Sequence, residues 1–201
     1  MPKTWAFNLV SNKWRAFRKW LTLSGYTDYT IASYFRKQGA QIGERCRFQI
    51  RSIGSEPYLV SIGNNVFISY QVEFHTHDGG VWILKENDPE IMVYGRITIE
   101  DNCLIGIRTQ ILPNVRIGRN SIIGAGSVVI SNVPPNSIVM GVPARVIGSV
   151  PKYAEKCLAT WQEQRPPDII SNGSALWAYD KANQRKLKKH LLELFKDKGE
   201  V

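Results

Sequence analysis

Residues 99–129 read IEDNCLIGIRTQILPNVRIGRNSIIGAGSVV. An aliphatic residue recurs at every sixth position of this stretch, namely Ile99, Ile105, Ile111, Ile117, Ile123 and Val129. Four residues after each stands a smaller side chain, in the order Cys103, Thr109, Val115, Ser121, Ser127 and Val133. A period of six fits neither the 3.6-residue period of a helix nor the two-residue alternation of a long strand. It predicts a short strand followed by a corner, with three such hexads completing one triangular turn of a solenoid.

The same hexad spacing occurs upstream, at Ile62, Ile68 and Phe74, and Ile42-Gly43 begins the pattern again further upstream. Ile62 and Ile99 are 37 residues apart, one more than six hexads, so the two blocks are out of phase. An excursion must therefore leave the stack between Phe74 and Ile99. Residues 77–95 are the predicted loop, because they break the repeat and contain Gly-Gly and Asp-Pro steps. A loop that leaves a rigid scaffold is a common place for functional residues.

Both ends of the chain have helical patterns, predicted over residues 5–23, 28–38, about 150–164 and 174–198. Asp28 is the expected N-cap of the second helix, and Gly39 is its expected end. The Pro134-Pro135 step and residues 141–144 are predicted turns at which the chain leaves the stack. The prediction is an all-β solenoid with flanking N- and C-terminal α-helices. Its segments are a helical segment at residues 1–40, the solenoid at residues 41–148 and a helical extension at residues 149–201.

The net charge of +9 is concentrated at the two ends of the chain. Residues 1–50 contain nine Lys and Arg against two Asp and Glu, whereas residues 51–150 contain seven against eight. Basic ends suit an anionic cofactor, an anionic substrate or a membrane surface. No helix-turn-helix, finger or RNP pattern accompanies them, so nucleic acid is not an expected partner.

Cys46, Cys103 and Cys157 form no CxxC pair, so neither a disulfide framework nor a zinc site is expected. Without a signal peptide or an apolar run of ~18 residues, the expected location is cytoplasmic.

Two motifs resemble the hexapeptide-repeat acyltransferases, whose members fold as left-handed parallel β-helices. Residues 117–129, IGRNSIIGAGSVV, resemble the penultimate coils of that family. The PPNS sequence of residues 134–137 and the GVPARVI sequence of residues 141–147 resemble its closing motif. The resemblance runs from about Gly39 to Ile147, which is over half of the chain. It implies the left-handed parallel β-helix as the fold.

Two further motifs are similar to one branch of that family, which O-acetylates bacterial surface polysaccharides. They are GSEPYLV at residues 54–60 and THDGGVW at residues 76–82. The resemblance implies transfer of an acetyl group from acetyl-coenzyme A to a hydroxyl of a sugar or polysaccharide precursor. It also implies a homotrimer with active sites between neighbouring β-helices, and a catalytic histidine where a loop leaves an early coil. A sugar hydroxyl is a weak nucleophile, and a neutral imidazole can take its proton during attack.

Three histidines are available for that role. His77 matches the Thr-His-Asp position of the family and is the expected general base. His75 is the alternative, although it can instead point outward beside a neighbouring subunit. His190 lies in the Lys-rich C-terminal helix, where we expect it to be solvated. Asp78 and Glu73 are candidates to fix the tautomer of His77, and a backbone carbonyl would serve equally well.

The resemblance also implies cofactor contacts, at Gly106, Gly124, Ala125, Gly126 and Arg145. The first four match positions where the backbone approaches the pantetheine arm, although they would also suit tight corners. Arg145 matches a basic position near the nucleotide, or is a solvated arginine. The family often has Thr-Lys where this chain has Ile130-Ser131, so one expected phosphate contact is missing. The acceptor-binding candidates are Glu56, Tyr58, Trp82 and Asp78, because aromatic faces and carboxylates suit sugar rings and hydroxyls. Packing aromatics and solvated acids explain them equally well.

Three alternatives share this fold. A zinc enzyme of the γ-carbonic-anhydrase type needs three histidines from adjacent coils. His75 and His77 are two residues apart and the third histidine is distant, so no metal is expected. An N-acetyltransferase for amino-sugar nucleotides could use the same base. A non-catalytic scaffold would have kept the repeat and lost the chemistry.

A separate hypothesis concerns residues 1–22. Five aromatic residues alternate there with basic ones, namely Trp5, Phe7, Trp14, Phe17 and Trp20. Such a segment can lie on an anionic membrane surface. The alternative is an aromatic face packed on the solenoid.

Overall fold

The computed structural model describes residues 14, 17–18, 20–167 and 180–197. The chain divides into two compact units, Met1–Val150 and Pro151–Val201. The first unit contains the repeat and every residue of the candidate site described below.

Thirteen short strands make up the first unit in the described part of the chain. In chain order they are β1 Gln41–Ile42, β2 Arg47–Phe48, β3 Val60–Ile62, β4 Phe67–Ile68, β5 Glu73–Phe74, β6 Ile97–Ile99, β7 Leu104–Ile105, β8 Gln110–Ile111, β9 Arg116–Ile117, β10 Ile122–Ile123, β11 Val128–Val129, β12 Ser137–Gly141 and β13 Ala144–Ser149. They form three sheets. Sheet A has the order β1-β3-β6-β9, sheet B has β13-β12-β10-β7-β4-β2, and sheet C has β11-β8-β5.

From β3 to β11, consecutive strands visit sheets A, B and C in rotation, and the pairing within each sheet is parallel. Thr98 pairs with Arg116 and Leu104 with Ile122, so from β6 to β11 each strand pairs with the strand 18 residues away. Three hexads therefore complete one turn, as the six-residue period predicts. The offset is 20 residues from Gln41 to Ser61 and 16 residues from Ile122 to Ile138. Across the excursion, Ser61 pairs with Thr98, 37 residues later. That offset is one 18-residue turn plus 19 inserted residues.

The aliphatic residues of the repeat are the core of the first unit. Ile105, Ile111, Ile117 and Ile123 have no accessible surface. The smaller residues that follow each of them by four positions are also buried, in the order Cys103, Thr109, Val115, Ser121, Ser127 and Val133. Each coil thus contributes one large and one small side chain per hexad to the interior, which packs without voids only if the period is kept.

The excursion leaves after β5 and returns before β6. A 3-10 helix spans Gly79–Leu84 within it. Its two ends are joined by backbone hydrogen bonds, from Asp78 N to Val93 O at 2.8 Å and from Gly95 N to Thr76 O at 2.9 Å. These bonds place His77 opposite Tyr94 in an antiparallel bridge. The loop is therefore closed at its base, close to the predicted limits at residues 77 and 95.

The predicted second helix is shorter than expected. Helix α1 spans Ala32–Lys37, and residues 28–31 form turns. Asp28 does not cap it, because its carboxylate pairs with Arg51 at 3.2 Å. The helix ends as predicted, since Gly39 has φ of +97°. Most of the predicted first helix, residues 5–23, lies outside the described residues.

The C-terminal side of the stack differs from the prediction in one strand. Residues 141–144 form the expected turn, but the chain then returns as β13, antiparallel to β12. The reason is that β12 would otherwise expose unpaired backbone groups at the edge of sheet B. In the second unit, α2 spans Val150–Gln164 and α3 spans Lys181–Asp197. Within the described residues, no helix combines the length and the apolar character that crossing a membrane requires.

Candidate active site

His77 and Glu56 form the central contact of the candidate site. Nδ1 of His77 lies 3.0 Å from Oε2 of Glu56. The hydroxyl of Thr76 donates a hydrogen bond to the same carboxylate oxygen. The side chain of Glu56 is only 14% exposed, whereas that of His77 is 36% exposed. The carboxylate is therefore the sheltered partner, and the imidazole is the accessible one.

Glu56 reaches His77 because the first coil has an irregular crossing where later coils have a strand of sheet C. Gly54 in this crossing has φ of +92°, a conformation that favours glycine. A Cβ at Gly54 would also come within 2.8 Å of the carbonyl oxygen of Phe74. Glycine thus lets the crossing lie against the end of β5, directly before Thr76 and His77.

The local contacts keep Glu56 ionised at neutral pH. Burial raises the pKa of the Glu56 carboxyl, but the hydrogen bonds from Thr76 and His77 outweigh burial and lower this pKa below its ordinary value. An ionised carboxylate can only accept hydrogen bonds. Nδ1 of His77 must therefore be the donor in this pair, which leaves Nε2 as the acceptor nitrogen of the neutral ring.

A groove of about 420 Å³ opens beside the imidazole. His77 lines it at the start of the excursion, and Val93 lines it at the return. Gln110 and Asn114 line it from the following coil. Their amide groups offer both donors and acceptors, which suits a ligand with several hydroxyl groups.

His75, the alternative base, lines the same groove but lacks a comparable partner. Its Nε2 lies 3.5 Å from Oε2 of Glu73 and forms no hydrogen bond within the described residues. Glu73 is 60% exposed, so solvent screens its charge. The structure brings both histidines to one groove and gives only His77 a sheltered carboxylate.

The two expected partners of His77 have other contacts. The carboxylate of Asp78 accepts a hydrogen bond from Gly80 N at 2.8 Å and caps the 3-10 helix of the excursion. Glu73 faces His75. The hypothesis that Asp78 or Glu73 fixes the tautomer is therefore wrong, and Glu56 is the residue in that position. Sequence reasoning had placed Glu56 among the acceptor candidates.

Tyr58 and Trp82, the aromatic acceptor candidates, are 61% and 77% exposed. Tyr58 lies over the backbone of Gly39, because a Cβ added at Gly39 would come within 3.1 Å of the Cβ of Tyr58. Trp82 lies in the 3-10 helix of the excursion. Neither residue lines the groove beside His77. Asp78 does line it, and all three acceptor roles stay predictions.

The predicted cofactor residues Gly124, Ala125 and Gly126 lie at the corner between sheets B and C, which we call the glycine corner. The N–H of Ala125 has no hydrogen-bond partner among the described residues. A Cβ at Gly106, one coil earlier, would come within 2.6 Å of that nitrogen. A Cβ at Gly126 would meet nothing within 4 Å. The corner therefore presents open backbone with one free donor.

Within one chain, the glycine corner lies at the N-terminal ends of the strands of sheet C, and the His77 groove lies at their C-terminal ends. Gly126 precedes β11, and Ile130, which lines the groove, follows it. Four residues of extended chain span roughly 13 Å. Arg145 is exposed on β13, where its guanidinium donates a hydrogen bond to the carbonyl oxygen of the preceding residue, Ala144, at 2.9 Å. No carboxylate in the described part of the chain pairs with it.

Two of the three cysteines are excluded as nucleophiles by their burial, whereas Cys157 is exposed. Cys46 and Cys103 are buried in the core, and burial raises the pKa of the Cys103 thiol to about 11. A thiol with so high a pKa is a poor nucleophile. Within residues 20–167 and 180–197, no group of three or more His, Cys, Asp or Glu is arranged to hold a metal ion.

Comparison with known proteins identifies the family. The model of the bacterial transferase hexapeptide (six repeats) matches residues 96–131. Protein CapG of Staphylococcus aureus is 51% identical over 126 residues, which cover 61% of this chain and 73% of CapG. This chain belongs to the hexapeptide-repeat transferase family. The prediction of a hexapeptide-repeat acyltransferase is therefore confirmed.

Two further hexapeptide-repeat proteins are similar over shorter stretches. Galactoside O-acetyltransferase of Escherichia coli (strain K12) is 40% identical over 95 residues, which cover 47% of this chain and 46% of that enzyme. A hexapeptide-repeat-containing acetyltransferase from Vibrio cholerae O1 biovar eltor, solved in complex with acetyl-coenzyme A, superposes with a TM-score of 0.51 at 28% identity. That alignment covers 56% of this chain and 61% of the Vibrio chain. The chain thus spans less than two thirds of both proteins.

Sequence reasoning missed two residues of the site. Thr76 shares the carboxylate of Glu56 with His77. The ring of Tyr94 lies against the ring of His77, with centroids 6.5 Å apart. The signal for Tyr94 was topological, because an excursion that rejoins a regular stack must bring its last residues back beside its first.

Proposed function

We propose that this chain is an acetyl-coenzyme A-dependent O-acetyltransferase that acts on a hydroxyl of a sugar or surface-polysaccharide precursor, with His77 as general base. The observation that carries the proposal is the sheltered Glu56 carboxylate, 3.0 Å from Nδ1 of an accessible imidazole in a groove. Its relatives support the reaction class, since galactoside O-acetyltransferase is among them.

The hydrogen bond to Glu56 prepares His77 for proton transfer. Glu56 accepts the Nδ1 proton, so Nε2 has a free lone pair directed at the acceptor. As the acceptor oxygen attacks the thioester carbonyl, a C–O bond forms and the hydroxyl proton passes to Nε2. The C–S bond then breaks, and the thiolate takes the proton from Nε2. Glu56 stabilises the imidazolium between these two steps and acts as a positioning residue.

The glycine corner suits the pantetheine arm of acetyl-coenzyme A. The free N–H of Ala125 can donate to an amide carbonyl of that arm, and glycine at position 106 keeps this nitrogen accessible. Arg145 can provide a positive charge for the nucleotide end. Ile130 and Ser131 replace the expected Thr-Lys pair, so we expect moderate affinity for coenzyme A.

We further propose that the coils wind as the left-handed parallel β-helix of the family, with residues 41–148 as the catalytic domain, and that the enzyme is a homotrimer. The distance between the His77 groove and the glycine corner within one chain supports this assembly. A neighbouring copy that contributes its glycine corner would bring the thioester to His77 without requiring the cofactor to cross sheet C.

The test is acetyl transfer from radiolabelled acetyl-coenzyme A to a panel of methyl glycosides, amino-sugar nucleotides and oligosaccharides. We expect His77→Ala to lower kcat at least ~100-fold, in line with loss of a general base, while coenzyme A still binds by calorimetry. His75→Ala should retain most of the activity, and His190→Ala is the matched control outside the groove. A larger loss in His75→Ala than in His77→Ala would reverse the assignment. Wild-type protein that neither binds coenzyme A nor transfers acetyl would be a scaffold.

Peripheral membrane contact stays a proposal for residues 1–22, most of which lie outside the described residues. Trp14, Phe17 and Trp20 expose 63%, 52% and 64% of their surface. This exposure favours a surface contact over an aromatic face packed on the solenoid. Flotation with anionic liposomes should enrich the wild type over a variant with serine at these three positions. Equal partitioning would exclude the contact.

A further inference from the structure

The base of the excursion fixes one aromatic ring beside the imidazole. His77 and Tyr94 are opposite each other, and the flanking hydrogen bonds run from Asp78 N to Val93 O and from Gly95 N to Thr76 O. This is the non-hydrogen-bonded pair of an antiparallel ladder, in which opposite side chains share a face and approach most closely. The backbone pairing thus places the Tyr94 and His77 side chains on the same face at the base of the excursion.

The ring of Tyr94 has a free face. It meets the His77 ring at 77°, with centroids 6.5 Å apart. In a perpendicular contact at least one face of the phenol ring is not covered by the imidazole. Tyr94 is also 50% exposed, so that face is open to a ligand. No other aromatic ring is in contact with His77 in the described part of the chain.

Tyr94 does not itself line the groove, but its ring contacts His77, which does, so a ligand bound at the imidazole is within reach of the phenol face. A pyranose has an apolar face of C–H groups and a polar rim of hydroxyls. Tyrosine offers a matching apolar face together with a polar phenol group. Gln110 and Asn114, on the following coil, can pair with the hydroxyls at the rim. Trp82 and Tyr58 are also exposed but have no described contact with His77.

We propose that Tyr94 is a specificity-determining residue, forming the wall of the acceptor subsite on which a sugar ring stacks. The inference rests on the proposed acetyl transfer and names its acceptor class as a cyclic sugar, in preference to an acyclic hydroxyl compound. The bridge at the base of the excursion fixes the backbone position of Tyr94 opposite His77.

The experiment compares one cyclic and one acyclic acceptor. The cyclic probe is the methyl glycoside with the highest kcat/KM in a panel, and the acyclic probe is the alditol of the same sugar. We expect Tyr94→Ala to raise the KM for the glycoside about tenfold and to leave the KM for acetyl-coenzyme A unchanged. The kcat/KM for the alditol should change less than twofold. Tyr94→Phe, which keeps the ring face, should restore the KM for the glycoside.

Tyr29→Ala is the matched control, because Tyr29 is likewise an exposed tyrosine with a single ring contact, to Arg47. Equal losses with glycoside and alditol in Tyr94→Ala would show that the ring only orients His77, and would overturn the proposal. An unchanged KM for the glycoside would also overturn it. Wild-type protein that acetylates no acceptor would instead overturn the proposed function itself, so the two failures are distinguishable.

Discussion

Two corners of the stack differ in how their side chains repeat. At the corner between sheets A and B, asparagine recurs on successive coils at Asn65, Asn102, Asn120 and Asn136, which we call the asparagine column. All four have φ between +54° and +60°. Each side chain donates to the next one along the stack, from Asn65 to Asn102, from Asn102 to Asn120 at 3.1 Å, and from Asn120 to Asn136 at 3.1 Å.

The corner after sheet C has the same backbone ladder without matching side chains. His75 N donates to Ile111 O at 2.9 Å, and Leu112 N donates to Val129 O at 3.0 Å. The three residues that follow the strands are His75, Leu112 and Ile130, one imidazole and two aliphatic side chains, so no hydrogen-bonding side chain repeats along this corner. We call this the histidine corner, and the excursion leaves here. The comparison indicates that repeated side chains stabilise coils, whereas function is located where the backbone repeats and the side chains do not.

The largest effect that separates the two corners is expected for Glu56→Gln. A glutamine can donate its amide to Nδ1 of His77 and so favour the tautomer with the proton on Nε2, which cannot accept the hydroxyl proton. We predict a fall in kcat of roughly 10- to 100-fold with little change in the KM for acetyl-coenzyme A. Steady-state kinetics measures both constants, and Glu56→Asp should recover part of the loss.

The control for this prediction is Asn102→Gly in the asparagine column, which should leave kcat within about twofold of the wild type and lower only stability. A kcat for Glu56→Gln equal to that of wild type would show that a sheltered carboxylate is not required by His77. The proposed role of Glu56 would then be lost, although the base itself could still be correct.

The next effect concerns glycines at the two corners. Gly63 lies two residues before Asn65 of the asparagine column. A Cβ there would contact Oδ1 of Asp101 and lie 2.8 Å from Asp101 N and 3.0 Å from the carbonyl carbon of Glu100. Two of these neighbours are backbone atoms, so the next coil would have to move. We predict that Gly63→Ala lowers the free energy of unfolding by about 1–3 kcal/mol.

Gly79, in the excursion at the histidine corner, is the matched control. A Cβ there would meet nothing within 4 Å. Gly79→Ala should therefore change the free energy of unfolding by less than about 0.5 kcal/mol. Urea denaturation of both variants measures the difference. Equal destabilisation would mean that the excursion is packed as tightly as the stack, and the proposed difference between the two corners would be wrong.

The regular part of this fold is predictable from the sequence, because each six-residue period corresponds to one short strand and one corner. The residues from Ile99 to Val129 are in phase with the buried column, and the 37-residue offset gave the position of the excursion before any coordinates. Two local features could not be read. Asp28 resembled a helix cap because Arg51, its actual partner, is distant in sequence. The sequence indicates only a closing turn where β13 lies, because β13 pairs with β12 at the edge of sheet B and this pairing has no periodic pattern in the sequence.

Only the part of the site that a local motif marks, His77, is predictable from the sequence. The residues that contact it are not. His77 was found from the motif, and the groove contains it. Its partner Glu56 was named for another role, since it comes from the irregular crossing of the first coil, 21 residues earlier. Tyr94 was missed for the same physical reason. Both residues reach the imidazole through backbone geometry that is neither helical nor hexad, so no period in the sequence records the contact.

A smaller effect sharpens the account of the asparagine column. Asn102 both accepts and donates a side-chain hydrogen bond and has φ of +56°. Asn102→Gly keeps this backbone conformation and loses the side-chain bonds, so we expect a loss of about 1 kcal/mol. Asn102→Ala adds the cost of a left-handed alanine, for a loss of about 2 kcal/mol. Thermal or urea unfolding measures both. If the two variants were equally stable, the column would act through its hydrogen bonds and not through backbone strain.

The smallest effect is the response of stability to acid, and here the two corners should agree. Glu56 has a lowered pKa because hydrogen bonds from Thr76 and His77 outweigh its burial, and Glu100 has a lowered pKa because Arg119 N and Arg116 donate to it. Each carboxylate therefore stabilises the fold above its unfolded pKa, near 4.5, and this contribution is lost as the pH falls through the folded pKa.

Urea unfolding at successive pH values measures this loss. Glu56→Gln and Glu100→Gln should each flatten the decline in the free energy of unfolding below pH 4.5, by at most about 1.4 kcal/mol per pH unit. Only Glu56→Gln should also alter the pH profile of kcat/KM, since only Glu56 touches the imidazole. An acid limb identical in the wild type and both variants would contradict the lowered pKa values, whereas an altered kcat/KM profile in Glu100→Gln would extend the catalytic machinery from the histidine corner to sheet A.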